Sequence, residues 1–556
     1  MQSDVEIARA QRPRPIAEIA AGLGLGAGDL QPYGADVAKV DLSVLGRARP
    51  RPGVPKLVLV SAITPTPAGE GKTTTSIGLA QALARLGESV CLALREPSLG
   101  PCLGMKGGAT GGGYSQVVPM DRINLHFTGD FHAVTSAHNL LAALADNHIH
   151  HGNELGIDPR RLLWRRVLDL NDRALRNVVV GLGGPADGVP RETGFDITAS
   201  SEVMAILCLA EGFDDLRARL ERILVGFTRE GQPVRAADLR AAGAMLALLR
   251  DALHPNLVQT LEGVPAFVHG GPFANIAHGC NSVLATRMAM HLADWAITEA
   301  GFGFDLGAEK FFDIKCAGAG LDPVAVVLVA TIRALKMHGG VSLEDLGRPD
   351  PEAVARGLPN LDKHVENIRT FGEPPLVALN RFAADTAGEL EVVRARCAEL
   401  GVPCAVSDHH ARGGQGAEAL ARALLVHARA RSRPFRPLYQ PGDGVLEKIR
   451  AVATRMYGAG GVVLSKAARR DLADVERLGY AKLPVCIAKV AGSLSDDGRL
   501  RGRPSGFEVT VRGIQAAAGA GFLVVLTGEI LRMPGLPRRP LAESLDVVDG
   551  AIVGLE

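Results

Sequence analysis

Aromatic side chains are scarce in this chain: Phe, Tyr and Trp make up 4% of its 556 residues. Aliphatic side chains must therefore fill most of the core. An excess of one charge is missing too. Sixty-one Lys and Arg stand against 60 Asp and Glu, for a net charge of +1. With no basic stripe either, the composition argues against nucleic acid as a partner. Arg12, Arg14, Arg47, Arg49 and Arg51 are interrupted by prolines and read as a solvated leading segment. Among the eight cysteines (91, 102, 208, 280, 316, 397, 404 and 486) no Cys-x-x-Cys pair occurs. That excludes a zinc ribbon or a dense disulfide framework and fits reduced thiols in the cytosol. A long apolar run is also absent. The longest stretch without Asp, Glu, Lys or Arg, Gly263 to Thr286, carries Pro265, Gly270, Gly271, Pro272, Asn275, His278 and Asn281. It reads as a buried, loop-rich region and not a membrane span. Early charges and Glu18 argue against a secretory signal. The cytoplasm is the expected compartment.

What is present is an alternation of short apolar runs and helical patterns. Lys56–Ala62 has strand length, Thr74–Leu86 has helical spacing, and Ser89–Leu94 is a second strand-like run. Strand, loop, helix and strand form the unit of a parallel sheet. Similar runs recur at Asn177–Leu182, Pro375–Leu379, Pro403–Ser407, Leu483–Ala488 and Phe522–Leu526, with helical patterns at Asp215–Val225 and Val392–Leu400. The fold class is α/β and multi-domain: a P-loop-like parallel-sheet domain with two smaller α/β domains. The expected ranges are 1–292, 293–430 and 431–556, with the proline-rich Arg431–Gly444 as linker.

The sharpest motif is Thr66-Pro67-Ala68-Gly69-Glu70-Gly71-Lys72-Thr73-Thr74. From Gly71 onward it matches a phosphate-binding loop, with a strand before and a helix after. Backbone N–H groups at the helix start face an anion. Lys72 would reach the terminal phosphates, and Thr73 would offer its hydroxyl to Mg²⁺. Thr66 replaces the first glycine of the usual pattern, so the loop is not the standard version. The bland reading is a helix start with a solvated lysine.

Arg95 and Glu96 follow the Ser89–Leu94 strand, at the edge where open α/β sheets bind ligands. Arg95 could clamp a carboxylate or phosphate; alternatively Arg95 and Glu96 form a surface ion pair. Gly107–Gly113 (GGATGGG) supplies flexible backbone for a cleft or an exposed turn. His126, Asp130 and His132 lie close in sequence but lack zinc spacing. Asp130 is the candidate catalytic or Mg²⁺-side carboxylate. His148, His150 and His151 read as a partly exposed helix end.

TPTPAGEGKTTT, REPSLGP, KGGATGGGYSQVVPM and NLHFTGDFHA together resemble formate–tetrahydrofolate ligases, also called formyltetrahydrofolate synthetases. The resemblance continues through GFDITASSEVMAILCLA, PNLVQTLE, VHGGPFANIAHGCNSV, EAGFGFDLGAEKFFDIKC, ATIRALKMHGG, SLSDD and MPGLP, over nearly the whole chain. It implies three α/β domains around a cleft and a homotetramer. It implies ATP with Mg²⁺, a monovalent cation (K⁺ or NH₄⁺), formate and tetrahydrofolate, and a formyl phosphate intermediate.

Formate is already an anion, so its attack on the γ-phosphate needs positioning and charge compensation rather than a base. Lys72, Arg95, Mg²⁺ and the loop N–H groups are the expected suppliers. The folate N10 must later lose a proton to a carboxylate. Asp130 is the first candidate and Glu96 the second. Arg95 could also stabilise the oxyanion. By resemblance, Phe302 and Phe382 contact the folate, although core packing is the commoner job for phenylalanine.

Three departures from the family pattern stand out. Arg381-Phe382-Ala383 replaces Lys-Phe-Pro, and His410 occupies a position where the family often has Trp. Imidazole buries less area than indole and titrates near neutral pH, which predicts weaker or pH-sensitive folate binding. Lys489-Val-Ala-Gly-Ser493 lacks the Thr-Gln-Tyr usual between that lysine and serine. Rival readings are a ligase or kinase for another small acid and a P-loop switch ATPase that carries a metal or a partner. The altered folate slot favours the first. The scattered cysteines count against the second.

Overall fold

The structure, a computed structural model, describes residues 3–104, 110–430, 434–528 and 530–555. Gly107–Ala109 of the glycine-rich stretch, and Arg431–Arg433 of the expected linker, lie outside the described residues.

The core is one large sheet. Its elements in chain order are β1 (Lys56–Ala62), α1 (Lys72–Arg85), β2 (Val90–Leu94), α2 (Asp130–His150), β3 (Asn256–Thr260), β4 (Pro265–Val268), α3 (Val283–Leu292) and β5 (Trp295–Glu299). Then come β6 (Pro323–Ala330), α4 (Ile332–His338), α5 (Pro351–Thr370), β7 (Pro375–Asn380), α6 (Ala387–Glu399), β8 (Cys404–Ser407) and α7 (His409–Gly416). Within this 12-stranded sheet these eight strands lie in the order β3, β4, β2, β5, β1, β6, β7, β8, and every pair from β4 to β8 is parallel. Leu57 to Val60 of β1 and Val326 to Ala330 of β6 are fully buried. That is why these strands read as continuous apolar runs and not as an alternation. Each such Val or Leu contributes about 1.5–3 kcal/mol relative to an exposed side chain.

Local chemistry sets the element boundaries. Ser282 Oγ accepts the Ala285 N–H at 2.9 Å and starts α3. Thr331 caps α4 by accepting from Ala334 at 3.1 Å. Thr386 and Glu389 form a reciprocal capping box on α6.

Position 292 falls at the end of α3, and β5 beyond it is inserted between β2 and β1. One hydrogen-bonded sheet therefore runs through residues on both sides of that position. The C-terminal region has its own sheet of β9 (Gly461–Leu464), β10 (Val485–Ala488), β11 (Glu508–Ala517) and β12 (Phe522–Thr527), in the order β9, β11, β12, β10.

Two expectations need correction. The Asn177–Leu182 run supplies only Val178–Val180, paired with Arg191–Thr193 in a separate two-stranded ribbon, and Val179 is half exposed. Arg49 is not a solvated arginine. It donates to the carbonyls of Arg51, Gly53, Met290 and Ala293 and pairs with Asp294 at 2.9 Å. It ties the leading segment to the turn before β5.

Candidate active site

Because β4 through β8 run parallel, the loops after β2, β5, β1, β6, β7 and β8 all leave from one edge of the sheet. That edge is where such folds bind ligands. It places Arg95 and Glu96, then Glu299 to Phe302, then the 66–74 loop, then Thr331 to Arg333, then Phe382, then His410, in spatial order.

The phosphate loop is built from within. Gly71 sits at φ 74° as the N-cap of α1, a left-handed conformation that favours glycine. A Cβ there would lie 2.6 Å from Asn380 Nδ2. Glu70 is buried beneath the loop, where its Oε1 accepts the Thr66 N–H at 2.6 Å and its Oε2 accepts the Thr331 hydroxyl. Burial pushes the Glu70 carboxyl above the usual range, and these donors oppose that rise. Pro67 and Ala68 are exposed at the tip; Thr66 is buried; Gly69, Lys72, Thr73 and Thr74 are half-buried. The replaced first glycine is thus accommodated, because Thr66 is held by its backbone N–H and lies under the loop.

Thr73 donates its hydroxyl to Glu299 Oε2 at 2.6 Å. Arg95 Nη2 is 3.6 Å from Glu299 Oε1. Glu299, at the end of β5, therefore joins the loop hydroxyl to the arginine. Sequence reading missed it. Its only signal was an acid closing the apolar run Trp295–Glu299, and only strand pairing shows that this run neighbours β1. Glu299 Oε1 is buried with no hydrogen-bond partner among the described residues. A hydroxyl and a carboxylate beside a phosphate loop fit Mg²⁺, which takes few protein oxygens and completes its shell with phosphates and water.

Arg95 does not pair with Glu96 on the surface; its partner is Glu299. Glu96 is 5% exposed, and its Oε2 has no hydrogen-bond partner among the described residues. Burial, with the charge of Asp130 nearby, pushes its carboxyl well above the usual range. Asp130 is differently placed. It begins α2, and its two oxygens are taken by Lys39 Nζ at 2.8 Å and Asn256 Nδ2 at 2.7 Å. Lys39 also donates to the His254 carbonyl at 3.1 Å. His126 and His132 are exposed.

Phe302 has a backbone φ of 59°, unusual for an aromatic residue and the kind of strain that collects at functional sites. It follows Gly301, where a Cβ would lie 2.9 Å from Arg95 Nη1.

The sequence model described as formate–tetrahydrofolate ligase matches residues 2–556. Curated formate–tetrahydrofolate ligases from Hyphomonas neptunium and Symbiobacterium thermophilum are each 58% identical to this chain, over the full length of both chains. One from Granulibacter bethesdensis is 56% identical over all of this chain and 97% of its own. The chain belongs to the formate–tetrahydrofolate ligase family.

Against the formate–tetrahydrofolate ligase pattern, the departures can now be located. The ring of Phe382 is half-buried, with the Arg333 guanidinium 4.3 Å from its centre. The N–H of Phe382 is fixed by Asp385 Oδ2 at 2.8 Å. His410 is 56% exposed, with Nε2 4.0 Å from Asp4 Oδ1. Its neighbour His409 is the anchor. His409 Nδ1 meets Ser407 Oγ at 2.7 Å, its Nε2 meets Thr75 Oγ1 at 3.2 Å, and its Cβ lies over Gly78. Burial pushes the His409 imidazole down to about 4, so it is neutral at pH 7. The Lys489 segment keeps a strong contact despite its lost polar residues. Lys489 forms a fully buried ion pair with Asp305 at 2.7 Å. Asp305 lies in the π-helical turn Phe304–Ala308, just after Phe302. This pair locks the C-terminal region to the back of the site.

Proposed function

We propose that this protein joins formate to tetrahydrofolate at the expense of ATP, giving 10-formyltetrahydrofolate, ADP and phosphate through a formyl phosphate intermediate. The observation that carries the reading is full-length membership of the formate–tetrahydrofolate ligase family, together with a phosphate loop whose Thr73, Glu299 and Arg95 form one chain of contacts.

In this reading the loop N–H groups and Lys72 hold the β- and γ-phosphates. Thr73 and Glu299 would hold Mg²⁺, which would supply neutralisation of phosphate charge. Arg95 receives formate and holds it in line with the γ-phosphate, offsetting the repulsion between two anions. Formyl transfer then needs a proton acceptor for N10. Both Asp130 oxygens are engaged, so Glu96 takes precedence over the initial choice of Asp130. Asp130, fixed by Lys39, keeps the Glu96 pocket in place. Arg95 stays beside the formyl group and stabilises the oxyanion. Phe302, Phe382 and His410 contact the folate.

A monovalent cation (K⁺ or NH₄⁺) and a homotetramer are proposed on the family resemblance alone. A cytoplasmic location is supported by eight free cysteines, seven of them buried. Among the described residues, no helix is long and apolar enough to cross a membrane.

The test is formation of 10-formyltetrahydrofolate from ATP, Mg²⁺, formate and tetrahydrofolate, with Lys72→Ala as control. The expected result is product from the wild type and none above background from the variant. A folded, ATP-binding wild type that makes no product would overturn the reading and send the search to other acceptors.

A further inference from the structure

The phosphate loop follows β1 and Phe382 follows β7, with β6 between them, yet one side chain touches both. Arg333, on the first turn of α4, donates to the carbonyl oxygen of Gly69 in the loop. Its guanidinium carbon lies 4.3 Å from the centre of the Phe382 ring. Its Nε is 4.0 Å from Glu70 Oε2, the same oxygen that accepts the Thr331 hydroxyl. From the far side, Asn380 at the end of β7 donates to the Glu70 carbonyl at 3.2 Å. The strand end two residues before Phe382 is thus tied back to the loop as well. Arg333 is three-quarters buried, so this contact is not a loose surface pair.

We infer that Arg333 is a positioning residue that couples occupancy of the phosphate loop to tetrahydrofolate binding at Phe382. The inference rests on the proposed reading of Phe382 as a folate contact. A guanidinium lying against one face of an aromatic ring holds that ring through cation–π attraction and leaves the other face for a planar ligand. The other end of the same guanidinium is held by the loop. Phosphates in the loop commit its N–H groups to the anion, which fixes Gly69 and, through it, Arg333. The ring is then ordered before the folate arrives, so the second ligand orders less on binding. Linkage makes the effect reciprocal: bound folate tightens the nucleotide by the same factor.

The experiment is calorimetric titration of tetrahydrofolate into the full-length protein, with and without the Mg²⁺ complex of a non-hydrolysable ATP analogue. In the wild type the nucleotide is expected to tighten folate binding by about fivefold or more, the lower end of usual site-to-site coupling. Arg333→Gln is expected to bring that ratio to within about twofold of unity. Arg333→Lys keeps a charge near Gly69 but cannot lie flat on the ring. It should retain more nucleotide affinity than Arg333→Gln and still lose most of the ratio. A wild-type ratio of one, or an Arg333→Gln ratio equal to a wild-type ratio above one, overturns the inference. If Arg333→Gln fails to fold, the Arg333→Lys ratio decides in the same way. Phe382→Ala separates the two layers of the argument. Unchanged folate affinity there removes the folate reading, and this inference with it. Weakened folate binding with coupling intact in the Arg333 variants removes only this inference.

Discussion

The two ends of the site are built differently. At the proposed nucleotide end, Thr66, Glu70 and Glu299 are buried, and hydrogen bonds join the loop and helix after β1 to Glu299 at the end of β5 and Thr331 just past β6. At the proposed folate end, Phe382 is half-buried on the loop after β7, and His410 is 56% exposed on the first turn of α7. A buried polar group must find a partner or cost about 1–3 kcal/mol, so the first end tolerates little change. An exposed ring face carries no such penalty. That difference makes substitution at His410 and Ala383 cheaper for the fold than substitution at Glu70 or Glu299.

The comparison predicts graded losses. Glu96→Gln, deep in the buried end, should lower kcat by about 10²–10⁴-fold, the usual contribution of a general base. The wild-type rate should rise with pH as Glu96 loses its proton, and that limb should vanish in the variant. A parallel limb in both proteins would reassign the base. Glu299→Gln removes the charge shared by Thr73 and Arg95. It should cost about 10²-fold in kcat/KM and raise the Mg²⁺ needed for half-maximal rate. An unchanged Mg²⁺ curve would mean that Glu299 only orients Thr73.

Phe302→Gly tests the boundary between the two ends. Glycine adopts the positive φ without strain, so thermal stability should hold or rise slightly. The loss of ring contact should raise the KM for tetrahydrofolate by about tenfold, with kcat nearly unchanged. A collapse in stability would mark Phe302 as core. His410→Trp should have the smallest effect, tightening folate by about two- to fivefold through added ring area. No change in the dissociation constant would show that position 410 lies clear of the ligand. A loss of fold would break the comparison outright, because it would make the exposed end structural.

Much of the fold was legible because buried parallel strands are continuous apolar runs. Lys56–Ala62 matches β1 at both ends, and Pro375–Leu379 and Pro403–Ser407 fall within one residue of β7 and β8. Asn177–Leu182 misled because apolar composition alone does not say whether a face is covered. The loop between β1 and α1 was legible because its residues, 66–74, are consecutive. Glu299, Lys39 and Arg333 were not, since each acts on a residue more than 90 positions away or across a strand pairing.

The sequence by itself determined the α/β class, the strand–loop–helix unit around residues 66–74 and the family. Those depend on local periodicity and on motifs read along the chain. Only the tertiary structure decided that Glu299 joins Thr73 to Arg95, that Lys39 and Asn256 occupy Asp130, and that Arg333 spans the loop and Phe382. Parallel strands bring distant loops to one edge. Which of them become neighbours is set by strand order, and strand order is a property of the packed sheet, not of any segment within it.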